Sequence, residues 1–525
     1  MSQRKIENCI HILYIAVFVY IVLSLAVATA RIDYPCKRTF LLPNFLILII
    51  AGILIITITV SLSRRGMQQF AVRIDQFHAR RFVICGCVLF AAFQIYVSYN
   101  YYFLTDWDVD LIYQSARELV NGTFNTCKRY GEFCWYYSTY PNNMELLGVF
   151  VACLKVNQYF GILDPQNGIM AFVTVNCVVM AIAGYLLYGT LSSVLSHRWG
   201  LLGWAFFVAY IGVSPWVVIP YSDSLGLLFP ILSLRVLVKL RSVHKKWLYL
   251  VLLGVIGSVG YHLKPQVGII LIAAAILLLI EIMCKRQERK EKSLYLVVVL
   301  MVFVLTGTIP KAIGNAFEIP IDKNREFGTT HFIMMGLNPE TRGVYSQADC
   351  DYSHSFGNTA SRKEGELSVI KERLVEYGVG GYLKLLNEKL LTTYGDGTFA
   401  WGMEGAFWKE IPPQKNDGIS KVARSFYYNS GEFYGVFLTY MQCFWLALLL
   451  LQIFTNTIKP QGIISTIKLS LIGLTIFELL FESRARYLYI YSPLYIFMAV
   501  YGLQNLYRKM AKYSTKVDVA RLRQN

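Results

Sequence analysis

The chain has 525 residues, 55% of them hydrophobic and 16% charged, with a mean hydropathy of +0.45, which is too apolar for a soluble protein. A formal charge of +17 would also suit a nucleic-acid binder, but the Lys and Arg stand in blocks between apolar runs, as in cytoplasmic loops facing anionic lipid, and that pattern excludes it. With no Walker A and no GxGxxG sequence, nothing points to nucleotide-driven chemistry.

The first apolar run comes after Arg4 and Lys5 and is succeeded closely by a second one, which reads as a retained signal anchor rather than a cleaved signal. Four basic blocks orient the apolar runs around them: Arg64 to Arg81, Lys239 to Lys246, Lys285 to Lys292, and the tail from Arg508 to Arg523. If all four are cytoplasmic, the crossings fall at 9–29, 42–62, 82–99, 169–194, 201–219, 222–239, 247–262, 267–284, 293–312, 433–457, 464–482 and 487–507. Twelve crossings leave both termini in the cytoplasm, in a multi-pass protein of the cell membrane. Met144 to Val156 does not fit as a thirteenth, because it would put two basic blocks outside, and at 1.5 Å per residue it reaches only about 20 Å. It is predicted to be a helix on the outer surface.

The predicted fold is therefore an all-α polytopic membrane protein of about twelve transmembrane helices plus an outer-surface helix. Residues 1–312 form the N-terminal membrane domain, with an outer loop at 100–142. The stretch 313–432, about 120 residues, is too long for a structureless connection and is predicted to be a small outer domain. Residues 433–507 supply the last helices and 508–525 a basic cytoplasmic tail.

That threading gathers distant polar residues on one outer face. They are Asp106, Asp108 and Asp110 around Trp107; Tyr221 and Asp223 after Pro220; His262 and Lys264 before Pro265; and Glu482, Arg484 and Arg486 before the last span. Charges at span ends are costly to hold there and point to chemistry. A carboxylate such as Asp106 or Asp108 can take a proton from a hydroxyl, although Asp also caps helices, the role expected of Asp110. Asp106 and Asp108 together can also bind a divalent cation. Lys264, Arg484 and Arg486 can clamp a phosphate, or simply snorkel to the interface. Asp223 is either a partner for one of these cations or a helix cap.

The loop Thr393 to Gly402 alternates glycine and aromatics, and like His331 to Gly336 it suits either a sugar-stacking surface or a domain core. Eleven cysteines form no CxxC pair, so a structural zinc site is not expected. Cys127 and Cys134, with six residues between them, can form a disulfide if the compartment is oxidising, and Asn121-Gly122-Thr123 matches a glycosylation acceptor.

The ordered set of Asp106-Trp107-Asp108, Tyr140-Pro141-Asn142-Asn143, Pro220-Tyr221-Ser222-Asp223, Lys264-Pro265 and Glu482-Ser483-Arg484-Ala485-Arg486 resembles the GT-C superfamily of integral membrane glycosyltransferases. It is most similar to the branch of protein O-mannosyltransferases and aminoarabinose transferases, and to the bacterial cell-envelope members of it, over most of residues 82–507. The resemblance implies a GT-C-like fold, a polyprenyl-phosphate-linked sugar donor, and a glycan, lipid or protein acceptor. It also implies a general base in the first outer loop, Asp108 or Asp106, and a donor phosphate held by Lys264 and Arg486. Asp-Trp-Asp stands where that branch has adjacent Asp-Glu, so the choice between the two carboxylates stays open. Two other classes fit the composition: a secondary transporter, which lacks support from any internal repeat, and a lipid-linked oligosaccharide polymerase or ligase.

Overall fold

An apolar run of about twenty residues can satisfy its backbone in hydrocarbon only as a helix, and helices dominate the chain. The computed structural model describes residues 3–28, 40–63, 79–101, 103–105, 107–161, 168–401, 408–410, 418–455 and 462–524. In chain order the first helices are α1 (Gln3–Val27), α2 (Asn44–Ser63), α3 (Ala79–Ser98), α4 (Asp108–Asn121), α5 (Tyr130–Thr139), α6 (Asn143–Phe160), α7 (Ile169–Val194), α8 (His197–Tyr210), α9 (Ser222–Gly226) and α10 (Leu228–Leu240). Next come α11 (Lys246–Leu263), α12 (Ile269–Cys284), α13 (Arg289–Thr306), α14 (Ile309–Ala316), α15 (Thr329–Gly336), α16 (Gln347–His354) and α17 (Thr359–Tyr394). The last are α18 (Gly418–Tyr427), α19 (Tyr434–Gln452), α20 (Gly462–Leu480) and α21 (Ser492–Gln524). Two three-residue strands, β1 (Phe103–Thr105) and β2 (Trp408–Glu410), pair antiparallel with Thr105 opposite Trp408.

Nine helical segments among the described residues are long and apolar enough to cross a membrane, so the protein is polytopic. The other three predicted crossings are interrupted. The stretch 201–219 is the end of α8 and then a 3-10 turn at Pro215–Val218, 222–239 is split into α9 and α10, and 487–507 begins in a 3-10 turn, Ala485–Tyr491. Prolines bracket the first break: Pro215 opens its 3-10 turn and Pro220 follows it, and neither has an N–H to continue a helix. The carbonyls freed there are taken up by side chains: Asn176 donates to Val217 O at 3.0 Å and Ile219 O at 3.3 Å, and Ser224 donates to Trp216 O at 2.8 Å. Between α11 and α12 the turn is made by the extended residue Lys264, held before Pro265.

The predicted surface helix is α6, 18 residues long, with Leu146, Leu147, Phe150, Val151 and Leu154 buried. It packs on α4, α7, α11 and α14, and Phe150 stacks on Phe172 with ring centroids 4.0 Å apart. In the region 313–432, α15, α16 and the first half of α17 form a layer around Phe327, Met335 and Cys350. Gly378, at φ 54°, kinks α17, a conformation that costs glycine nothing. Beyond the kink, Leu390, Leu391 and Tyr394 enter the main core.

The glycine-aromatic loop after α17 is core as well. Phe399 and Trp401 are buried there, and Asp396 ties the loop by accepting from Thr398 N at 2.9 Å and Ala400 N at 3.1 Å; Gly402 lies outside the described residues. His331 to Gly336 is likewise interior to the outer layer. Cys127 and Cys134 are both free thiols, and Cys127 Sγ donates to Phe124 O at 3.1 Å.

Candidate functional site

The helix interruptions converge. Asp108 opens α4, Tyr221 and Asp223 sit at the start of α9, Lys264 joins α11 to the next turn, and Arg486 lies in the 3-10 turn before α21. Tyr221 Oη donates to Asp108 Oδ2 at 2.6 Å, and burial pushes this phenol well above its ordinary range. Lys264 Nζ donates to Asp223 Oδ1, and the second oxygen, Oδ2, faces Arg486 Nε at 4.0 Å and accepts no hydrogen bond among the described residues. Burial pulls the Lys264 ammonium below the usual lysine range, and the Asp223 carboxylate opposes that shift.

Aromatic rings wall the cations. Lys264 Nζ lies 4.5 Å from the Tyr487 ring centre and 5.6 Å from that of Tyr221. The Arg486 guanidinium lies 4.6 Å from the Trp107 ring centre, and Trp107 in turn meets Tyr221 at 4.9 Å. A cation over an aromatic face keeps its charge in a dry site without giving up its N–H donors to a counter-ion. Among the described residues Lys264 commits one of its three N–H donors to a carboxylate, so two remain for a ligand.

The remaining candidates fall in different places. Arg484 is outside this cluster: it pairs with Glu482 at 2.8 Å and its guanidinium lies 5.9 Å from the Tyr345 ring centre. His262 turns away as well, with Nδ1 on Ser258 O at 2.8 Å and its ring beside Phe303. Asn143 donates to Tyr136 Oη at 2.6 Å, and Asn142 reaches Asn143 Oδ1 at 3.3 Å; burial, and then the nearby Asp108 carboxylate, push the Tyr136 phenol well above its ordinary range. Asp110 leaves the site for Arg129 at 3.5 Å. Asp106 lies outside the described residues, and with it the pairing of Asp106 and Asp108 as bases or as cation ligands. Among the described residues no three His, Cys, Asp or Glu side chains gather to hold a metal.

Several contributors escape sequence reasoning. Trp107 stands inside the acidic stretch, where the pattern marks only the carboxylates, and Tyr487 looks like the first residue of a span. Glu478 is buried on α20, with Oε2 accepting from Arg484 N at 3.4 Å and Oε1 without a hydrogen bond among the described residues. Lys389, fully buried on α17, donates to Phe481 O at 2.7 Å and Gly336 O at 2.9 Å, and burial brings its pKa down to about 7. It therefore clips the outer layer to the turn that carries Arg486. In the sequence Lys389 follows Asn387 and Glu388 and precedes Leu390 and Leu391, a pattern that does not set it apart from a surface lysine.

Residues 2–506 match a family described as conserved hypothetical integral membrane protein. The chain belongs to that family. This family membership spans every residue of the cluster, from Trp107 to Tyr487, so the site lies wholly within the shared part of the family's chain. No curated protein matches the chain.

Proposed function

We propose that this integral membrane protein transfers a monosaccharide from a polyprenyl-phosphate-sugar donor to an acceptor hydroxyl of a glycan, lipid or protein at the outer membrane face. The observation that carries the reading is the meeting of an Asp108–Tyr221 hydrogen bond with the Lys264–Asp223–Arg486 cluster at the ends of interrupted helices. A polyprenyl donor stays in the bilayer, so its phosphate has to be met by cations at span ends. Lys264 and Arg486 are such cations, and Asp223 holds them in place until the phosphate arrives. Tyr221, by donating to one oxygen of Asp108, leaves the other to accept the acceptor's proton as its oxygen attacks the anomeric carbon. The C–O bond to phosphate breaks as the new glycosidic bond forms, and the departing phosphate is stabilised by the two cations. A single displacement inverts the anomeric centre. In this reading the twelve-crossing topology holds, both termini are cytoplasmic, and the fold is GT-C-like.

The test is thermal-shift titration of the purified protein with a panel of polyprenyl-phosphate monosaccharides, and then transfer assays from radiolabelled donors to membrane acceptors. Stabilisation by one donor and inverted product are expected, and no stabilisation by any of them overturns the proposal. One observation favours a secondary transporter instead: Glu145 on α6 is buried, its two oxygens have no hydrogen-bond partner among the described residues, and burial raises its pKa to about 8. A carboxyl that trades its proton near neutral pH is what proton-coupled uptake requires. Proton-coupled substrate accumulation in proteoliposomes, lost in Glu145→Gln, would support that second reading.

A further inference from the structure

The helix α18 carries part of its apolar side on the surface of the molecule. Ile419, Val422, Ala423 and Phe426 recur at three- and four-residue spacing and form one stripe, and Lys421, Arg424, Ser425 and Tyr428 form the opposite one. On the polar side Lys421 is exposed, whereas Tyr428 is buried against Phe103 at 4.7 Å and Arg424 donates to Asn100 O at 3.1 Å. On the apolar side Ala423 and Phe426 are half-buried against the main core, and Ile419 and Val422 face out, 48% and 58% exposed.

This outward stripe continues onto a span. Phe426 stacks on Phe433 at 5.3 Å, Phe433 is 41% exposed, and Val436, 47% exposed, lies on α19, one of the nine apolar helices. Exposed apolar side chains on α19 face lipid, so the same surface on α18 lies against the bilayer, in the plane of its headgroups. At that level the molecule has a cleft of about 370 Å³ lined by Lys421, Arg424, Ser425, Tyr428, Ser430, Gly431 and Glu432. At ~30 Å³ per water this is room for about a dozen waters, the size of a headgroup rather than of an ion. Among the described residues its charged lining is two cations against one carboxylate.

We infer that α18 is an in-plane membrane helix and that the cleft beside it binds the phosphodiester headgroup of an anionic phospholipid. Lys421 and Arg424 meet the phosphate, Arg424 while still donating to Asn100 O. The acyl chains run along the apolar band of Val422, Phe433 and Val436 into the bilayer. The inference is independent of sugar transfer, since none of these residues belongs to the Asp108 cluster.

Native mass spectrometry of the full chain, titrated with phosphatidylglycerol, phosphatidylethanolamine and phosphatidylcholine of identical acyl chains, tests it. Phosphatidylglycerol is expected to bind at least about tenfold more tightly than phosphatidylcholine. Lys421→Gln, at an exposed position where folding is not at stake, is expected to cut that preference severalfold, and Lys421→Gln with Arg424→Gln to abolish it. Glu432→Gln is expected to keep or strengthen phosphatidylglycerol binding. Equal binding of the three lipids overturns the inference, as does a preference that survives in both cation variants. A preference for phosphatidylethanolamine that Glu432→Gln removes assigns the cleft to a zwitterionic headgroup, and soluble glycerol phosphate competing as well as the whole lipid assigns it to a free anion; either result overturns it too.

Discussion

Two buried polar clusters in this protein differ in how completely they are satisfied. In the outer layer, Glu366 accepts from Ser353 Oγ at 2.8 Å and Thr330 Oγ1 at 2.5 Å and lies 3.8 Å from Arg362 Nε. His331, stacked on Phe327 at 3.7 Å, completes it through Ser353 Oγ at 2.7 Å, and burial drops the histidine pKa to about 3. This network is closed: the Glu366 carboxylate meets Arg362, and His331, Ser353, Arg362 and Glu366 are all buried. The cluster at the helix breaks is left open. Among the described residues Asp223 Oδ2 lacks a hydrogen bond and Lys264 keeps two unused donors, and Trp107 and Asp108 are only half-buried. A satisfied network specifies a fold, whereas an unfinished one beside solvent has capacity for a ligand.

The contrast can be broken most directly at the two carboxylates. Asp108→Asn keeps shape but removes the base, so transfer should fall at least about a hundredfold, roughly 3 kcal/mol in the barrier, while thermal-shift titration still reports donor binding. If Asp108→Asn and Asp106→Asn each retain full transfer, the acidic stretch is a helix start and the open cluster has no catalytic base. Glu366→Ala should behave in the reverse manner, costing about 3 kcal/mol of stability in denaturant titration because Arg362 is left buried without its carboxylate, with donor affinity per folded molecule unchanged.

A smaller effect separates the cations. Replacing Lys264 with Gln should weaken donor binding by about 1.5–3 kcal/mol, the scale of a hydrogen bond to a charged group. Arg486→Lys should also weaken it, because an ammonium cannot reproduce the guanidinium's stacking on Trp107 or its planar fork. Arg484→Gln, whose parent side chain is occupied by Glu482, should leave donor affinity within about 0.5 kcal/mol, read in the same titration.

The smallest effects are two slopes of stability against pH with opposite signs. His331 has a lowered folded pKa, so the unfolded chain binds the extra proton, and stability should fall as pH drops from about 6.5 toward 3. Glu145 has a raised one, so the folded chain holds a proton the unfolded chain has lost, and stability should fall as pH rises from about 4.5 toward 8. Thermal melts of Glu145→Gln across that range should lose the second slope and keep the first.

Much of the helical layout was legible from local rules. Apolar runs gave α1, α2, α3, α7, α11, α12, α13, α19 and α20 to within a few residues, since length and apolarity decide a membrane helix without reference to neighbours. The interruptions were less legible. Pro220 and Pro265 announced the turns between runs, but 201–219, 222–239 and 487–507 are apolar enough to be read as uninterrupted spans, and at the first of these breaks side chains from elsewhere, Asn176 and Ser224, take up the freed carbonyls.

By itself, then, the sequence determined that this is a helical, polytopic membrane protein and which polar residues stand at the ends of its apolar runs. Tertiary structure decided which of those residues meet. Arg484 and Arg486 are two residues apart and equivalent on paper, yet the extended backbone at Arg484 and the 3-10 turn at Arg486 send one to Glu482 and the other to Trp107 and Asp223. His262 and Lys264 divide in the same way, one to Ser258 O and Phe303, the other to Asp223. The physical reason is that composition sets the cost of leaving water, a property of each segment alone. The direction of a side chain at a helix break depends on backbone dihedrals and on neighbours distant in sequence, 41 residues away for Lys264 and Asp223 and several hundred for Arg486 and Trp107.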